Sequence, residues 1–419
     1  MKWKDFSRLV APQHYAGVES FLKTLEQVED CSQHDCIKPY ADTIIEVMRS
    51  VFRATNSVLG SGTVNIIRDD GGPDIHVSDA FYTHYTIRKS GGRRRHIIFL
   101  SSDDVGPIQK GLLDSHSYIR EFTEKFIPYH KVYSYRKGCS IRDCAVEHIG
   151  KRVIVGMDFA DYFYSIGDSV VAKLLCALLV RAWFNEDDSV AEATDWDMVI
   201  EEVNKFTTQH SGKSIPPTYP ISHAAVLMAA AITVKSPISE GWVLPIGITP
   251  SPAIANLILL PLDRELDIFT REHEISYNRY CDNVYLSSDK WIQPELIEEI
   301  IQKIEAYDVF GKFIRVNRKK TRILPHHKRQ RVLGVVVNQL PNVPKERRRR
   351  VRSMLNHVFH DLRSTDKMDK ELRKRYRELL GELSFMKVVN PALAEKYEVA
   401  KIAVQLARIN IEEQMIKDK

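Results

Sequence analysis

No run in this 419-residue sequence approaches the ~20 consecutive apolar residues that cross a bilayer. The longest, Ala224 to Val234, is about half that, and its small side chains suit a buried helix. The opening MKWKDFSRLV lacks the apolar stretch of a secretory signal. No membrane partner is expected, and a cytoplasmic location follows. Cysteine is sparse. Cys31, Cys36, Cys139, Cys144, Cys176 and Cys281 are too scattered for the framework of a disulfide-stapled domain. Cys31 and Cys36 flank His34, but a structural zinc site needs four ligands, and no second Cys/His pair stands at suitable spacing. Acid is the third scarcity. From Lys312 to Arg352 there are fifteen Lys or Arg residues and one acid, Glu346, a local charge of +14 in a chain whose net charge is +5. Tracts such as Arg347 to Arg350 have only Glu346 at helical spacing, too little acid to neutralise them, so the stretch suits a polyanion better than a plain solvated helix face.

What is present is the composition of an ordinary folded protein, 44% apolar and 27% charged. The length suits two or three packed subdomains. Residues 1–75 read as an N-terminal helical extension, with helical periodicity at Ile44, Ile45, Val47, Met48 and Phe52, ending in Asp69-Asp70-Gly71-Gly72-Pro73. Residues 76–157 alternate β-like runs (His96 to Leu100) with helical ones (Ile108 to Leu113, then Ile119 to Phe126), and Arg152 to Gly156 reads as a buried strand. Residues 168–240 read as a largely helical insertion, with an acidic stretch near Glu186 to Asp197 and a break at Ser211 to Pro220. Ser251-Pro252 opens a helix through Ile254, Leu257, Ile258 and Leu262. Ser276 to Ser288 reads as two strands around a two-residue turn. After Pro341-Asn342-Val343-Pro344, residues 341–419 are almost wholly helical in pattern. The order is α+β followed by an all-helical tail.

Two carboxylates stand in informative frames. Val153-Ile154-Val155-Gly156-Met157 is an apolar strand that delivers Asp158 at its end, where a carboxylate can meet solvent and a cation. A helix cap is the plainer alternative. In Tyr280-Cys281-Asp282-Asn283-Val284-Tyr285, apolar and aromatic residues flank an Asp-Asn pair, which suits a tight hairpin whose turn requires positive φ. Beside Asp158 on a neighbouring strand, Asp282 would complete a site for two divalent ions. Nucleotidyl transfer needs that arrangement, one ion activating the attacking 3′-hydroxyl and the other neutralising the leaving pyrophosphate. Magnesium keeps waters and substrate phosphates among its ligands, so two aspartates suffice, and manganese is a possible substitute.

Seven segments in order, within a stretch of resemblance over roughly residues 93–362, resemble the motifs of bacterial reverse transcriptases. They are Arg95-His96-Ile97; Tyr135 to Ile141; Met157 to Ile166; Leu244 to Pro252 with Ala255-Asn256; Tyr280-Cys281-Asp282-Asn283; Asn317 with Lys320 and Thr321; and Leu333-Gly334. The resemblance implies a right-hand polymerase fold. Residues 76–157 would be fingers with the start of the palm, 158–340 an antiparallel palm sheet packed on helices and carrying the 168–240 insertion, and 341–419 a helical thumb. It places the metal ligands at Asp158, Phe159 and Asp282, with Asn283 and Lys320 completing the catalytic set. Lys320 either protonates the leaving group or is one more charge in the basic stretch. Arg95 and Arg136 would hold the incoming triphosphate. Phe163 would exclude a 2′-hydroxyl, and Gly247, Ser251 and Pro252 would border the nascent base pair. Arg318, Lys319 and Arg347 to Arg350 would contact nucleic acid through phosphates.

The match departs at two places. Asn283 stands where the family has a second aspartate, which removes a full charge. An active Asp-Asn pair, a substitution engineered to disable the enzyme and a natural pseudoenzyme all remain open. Ile246 replaces the usual glutamine of the template-grip motif. The chain resembles most the retron-related, defence-associated enzymes, class 2 among them. That resemblance implies an RNA-directed DNA polymerase using deoxynucleoside triphosphates to copy a bound structured non-coding RNA into cDNA, in anti-phage defence. The alternatives are a catalytically degenerate RNA-binding scaffold and an untemplated or protein-primed polymerase of the abortive-infection type. Oligomeric state is left open.

Overall fold

The computed structural model describes residues 82–88, 94–100, 107–124, 126, 130–184, 225, 228–229, 231–364 and 370–397. The readings of residues 1–75, of Glu186 to Asp197, of Ser211 to Pro220 and of residues 398–419 lie outside the described residues, as do Cys31, His34 and Cys36. In chain order the elements begin with β1 (Tyr82–Arg88), β2 (Arg94–Leu100), α1 (Pro107–Glu124), α2 (Ile141–Val146) and β3 (Val153–Asp158). Next come α3 (Tyr162–Ser165), α4 (Asp168–Phe184), β4 (Val234–Lys235), β5 (Trp242–Val243), α5 (Ser251–Leu257) and α6 (Leu260–Glu272). The remainder are β6 (Ser276–Tyr280), β7 (Asn283–Ser288), α7 (Pro294–Ala306), β8 (Arg322–Pro325), β9 (Arg331–Val332), β10 (Val335–Val336), α8 (Lys345–Ser364), α9 (Lys370–Val389) and α10 (Pro391–Glu395).

These elements form two compact units, each assembled from three chain segments. The first comprises residues 1–135, 159–266 and 297–317, the second 136–158, 267–296 and 318–419. In the first, β1 and β2 pair antiparallel from Tyr82↔Leu100 to Arg88↔Arg94. Helix α1 buries Leu112, Ser115, His116, Ile119, Phe122 and Thr123, one stripe at helical spacing. Read from sequence as two pieces, it is one helix, because the polar Ser115 and His116 that seemed to interrupt the apolar pattern face inward. Strands β4 and β5 pair within and just beyond the stretch read as helical to residue 240. Helix α5 packs on α1 and α4. Asn256 on α5 donates to the Ser134 carbonyl at 2.7 Å and accepts from its hydroxyl at 2.9 Å.

The second unit is built on a four-stranded antiparallel sheet in the order β6-β7-β3-β8. Its centre is apolar: Val153, Ile154, Val155, Met157, Val284 and Leu286 are buried. Alternation puts Ile154, Gly156 and Asp158 of β3 on one face with Asn283, Tyr285 and Ser287 of β7. Helix α2 contacts β6. It starts at a reciprocal cap in which the Ser140 amide donates to Asp143 at 2.8 Å and the Asp143 amide to Ser140 Oγ. Just beyond it, buried His148 meets Ser287 Oγ at 2.7 Å and Asn278 Oδ1 at 2.9 Å, while Asn278 donates to the Cys144 carbonyl. Strands β9 and β10 close around Leu333 (φ 50°) and Gly334 (φ 83°), a two-residue turn with both residues left-handed. Helices α8 and α9 pack together through Val351, Leu355, Val358, Tyr376, Leu379 and Leu383.

Candidate active site

The end of β3 and the β6–β7 hairpin bring the polar groups together. Tyr280 pairs with Asn283, and Asn283 with Asp158. Opposed residues of such a ladder have Cα atoms about 4.5–5.5 Å apart, so Asp158 and Asn283 are immediate neighbours on one face. The hairpin turn is Cys281-Asp282. This corrects the sequence reading, which centred the turn on the Asp-Asn pair. Positive φ falls on Cys281 (58°), and Asn283 is already the first residue of β7. The strained residue is held from below. Arg279, 1% exposed, donates Nη1 to the Cys281 carbonyl at 2.9 Å.

Asp282 therefore sits at the hairpin tip, one residue from the partner of Asp158. The Asn283 side-chain amide donates to Asp282 Oδ1 at 2.9 Å, which turns the Asp282 carboxylate toward the ladder position facing Asp158. On the other side of β3, Gly156 pairs with Arg322 of β8. That ladder ends there, and Lys320 lies two residues earlier, in the turn that leads into β8. Lys320 Nζ forms an ion pair with Asp158 Oδ2. One row thus crosses the unit: phenol, amide, carboxylate, ammonium. The Asp158 side chain is 17% exposed and that of Lys320 51%.

Two residues back along the same face, Gly156 leaves room for the ring of Tyr285. The Tyr285 hydroxyl accepts the Leu333 amide of the β9–β10 turn at 3.2 Å. Burial, with lesser contributions from Cys144, Asp282 and Asp158 against the opposing Leu333 amide bond, pushes the Tyr285 phenol up to about 12. It stays protonated across the physiological range. Burial likewise raises the Cys144 thiol, so it is no nucleophile.

The donor set suits a hard divalent ion: the carboxylate at the end of β3, the carboxylate at the hairpin tip and the amide between them, at the rim of a buried sheet. Among the described residues there is no cluster of three or more His, Cys, Asp or Glu that would cage a metal unaided. The set fits an ion whose remaining ligands are water and substrate phosphates.

Of the other sequence candidates in this unit, Arg136 is half-buried in the segment leading to α2, and Arg318 and Lys319 are exposed in the turn before β8. Arg349 and Arg350 are exposed on α8, and Arg348 is half-buried. Arg347 is turned inward. Its Nε donates to Glu382 of α9 at 2.5 Å, and its guanidinium carbon lies 3.4 Å from the centroid of the Phe385 ring.

The remaining candidates belong to the first unit. Arg95 is exposed on β2, opposite Ile87. Phe163 is half-buried on α3, its ring edge-on to Tyr162 at 5.7 Å. Phe159 buries its ring and bridges to Val316, so only its backbone carbonyl could meet an ion. Gly247 (φ 121°) lies against β2 so closely that a Cβ would sit 2.3 Å from the Ile98 carbonyl oxygen, and the Ile98 amide donates to Ile246. Ser251 is buried at the start of α5, with Pro252 beside it.

The sequence reading missed Gly156, Arg279 and Tyr285. Arg279 gave no signal, since Ser-Tyr-Asn-Arg-Tyr carries polar residues on both faces of β6. The glycine in an otherwise β-branched strand was a signal for close approach.

No protein-family profile matches the chain. The retron Mx65 reverse transcriptase of Myxococcus xanthus is 27% identical over 266 residues, covering 64% of this chain and 53% of that relative. The retron Mx162 reverse transcriptase of the same organism is 25% identical over 328 residues, covering 74% of this chain and 58% of that relative. The chain spans little more than half the length of these two relatives. Among solved structures, telomerase from Candida albicans in complex with a TWJ fragment of telomeric RNA aligns over 84% of this chain and 63% of that one, at 8% identity and a TM-score of 0.37.

Proposed function

We propose that this chain, which is related to the retron reverse transcriptases, is an RNA-directed DNA polymerase that copies a bound structured non-coding RNA into cDNA. One observation carries the reading. The β3–β7 register sets Asp158 beside Asn283, with Asp282 one residue away at the hairpin tip and Lys320 on the opposite flank. On this reading the four-stranded sheet is the palm, β1–β2 belongs to the fingers and α8 to α10 to the thumb.

Asp158 and Asp282 would hold divalent ions, with the Phe159 carbonyl as a third oxygen; magnesium, or manganese in its place, would supply activation of the attacking 3′-hydroxyl and charge neutralisation at the leaving pyrophosphate. Asn283 orients the Asp282 carboxylate through its amide rather than adding charge. Lys320 brings a cation to the same row and suits the pyrophosphate leaving group. Arg95 and Arg136 bind the triphosphate as guanidinium forks. Phe163 selects deoxyribose, and Gly247, Ser251 and Pro252 border the nascent pair. Arg318, Lys319 and Arg348 to Arg350 supply phosphate contacts that bind without reading sequence. Anti-phage defence in the cytoplasm is the biological role in keeping with the resemblance.

The test is direct. The purified chain with its co-purified RNA, magnesium and deoxynucleotides should yield DNA complementary to that RNA. Asp158→Ala and Asp282→Ala should abolish it. No DNA from either the native chain or Asn283→Asp would leave an RNA-binding scaffold as the surviving reading, and a homopolymer product would leave untemplated synthesis.

A further inference from the structure

The row across the second unit carries a consequence for how the site acquires its ion. Asp158 is answered on both sides before any ion arrives. On the β7 side stands an amide, Asn283, which contributes no charge and is committed through Nδ2 to Asp282. On the β8 side Lys320 Nζ is paired directly with Asp158 Oδ2. Lys320 lies in the turn just before β8, two residues from the Arg322 that pairs with Gly156, so the chain enters the sheet with the lysine at the end of β3. The local formal charge of Asp158, Asp282 and Lys320 together is −1. With an aspartate at 283 it would be −2. A bare divalent ion approaching this row meets a cation already in contact with the carboxylate it needs, and in a half-exposed setting that repulsion is felt.

We propose that Lys320 is a resident counter-cation of Asp158 that a divalent ion must displace, so that the site takes up its metal with the nucleotide rather than before it. A triphosphate brings its own negative charge. It offers the displaced ammonium a new partner and lowers the cost of placing an ion beside Asp158. The lysine thus changes partner from carboxylate to phosphate as the substrate enters. This rests on the polymerase reading and adds the order of loading to it.

The experiment follows Mn2+, a paramagnetic stand-in, binding to the full nucleotide-free chain at low ionic strength, with free Mn2+ read by electron paramagnetic resonance. The native chain should bind weakly. Lys320→Met and Lys320→Gln should each tighten binding by roughly tenfold, Lys320→Arg should leave it at the native level, and Asn283→Asp should tighten it. Binding of the Mn2+ complex of a deoxynucleoside triphosphate should change far less between the native chain and Lys320→Met. Unchanged or weaker Mn2+ binding in both neutral variants overturns the proposal, as does an equal gain for bare and nucleotide-bound ion. Neither result depends on DNA synthesis. If the lysine behaves as stated and no DNA is made, the polymerase reading fails alone. If DNA is made and the lysine variants bind Mn2+ like the native chain, the counter-cation fails alone.

Discussion

Gly156 and Tyr285 face each other across the β3–β7 pair, and a Cβ on Gly156 would lie 3.2 Å from the Tyr285 ring. The missing side chain lets the ring lie over β3 and bring its hydroxyl to the Leu333 amide. Gly156→Ala should force the ring away by a few tenths of an ångström and destabilise the unit by about 1 kcal/mol. Tyr285→Phe should cost about 1 kcal/mol by orphaning the Leu333 amide. Because both act through one bond, the double variant should lose less than the sum, which a denaturant double-mutant cycle reads. Strict additivity would mean that the two residues are not coupled.

Gly247 should be intolerant of any side chain. Its φ of 121° disfavours other residues, and the approach to the Ile98 carbonyl leaves a methyl group nowhere to go. Gly247→Ala should cost about 2–4 kcal/mol. Thermal melting measures the loss, and the Ile98 amide, bonded to Ile246, should lose protection in hydrogen exchange.

The arginine tract of α8 should divide into two functions. Arg347 ties α8 to α9 through Glu382 and Phe385, so Arg347→Ala should lower stability by about 1–2 kcal/mol. Arg349 and Arg350 are exposed, and their replacement by alanine should leave the melting temperature nearly unchanged. If they bind phosphates, the slope of log affinity for RNA against log salt should flatten by roughly one for each arginine removed. The opposite partition, with Arg347→Ala changing only the salt slope, would show that the tie to α9 contributes nothing.

Acid should loosen the first unit through His116. Burial lowers its pKa to about 4, against a weaker upward pull from its bond to the Ala231 carbonyl. Its Nδ1 is buried with no partner, so a proton there would be unsatisfied. A folded pKa below the unfolded value of ~6.5 means that the neutral form's contribution is complete above pH 6.5 and is lost as pH falls toward 4. The melting temperature should drop across that window. His116→Gln should show a shallower drop.

The β-branched run that delivers Asp158 and the two strands around residue 282 were legible in the sequence, because period and composition report burial directly. The frame of the hairpin was not. Asn has the stronger turn propensity, which favoured the Asp-Asn pair, yet a buried guanidinium three strand positions from the β6 start holds the left-handed turn at Cys281 instead. A bond from Arg279 to a backbone carbonyl leaves no pattern in a single sequence. Lys320 was legible as a candidate but not its partner, since a lysine in a basic stretch says nothing about register. Strands β4 and β5, two residues each, are too short to show alternation at all.

The amide of Asn283 also governs how the hairpin behaves without ions. Three crowded carboxylates would push one another apart whenever ions were stripped from solution, and the loop bearing them would slacken. Here a neutral amide steadies one acid and an ammonium the other. Chelators should therefore leave the hairpin as firm as they found it, so that whatever an ion contributes to this protein, it contributes to chemistry and not to architecture.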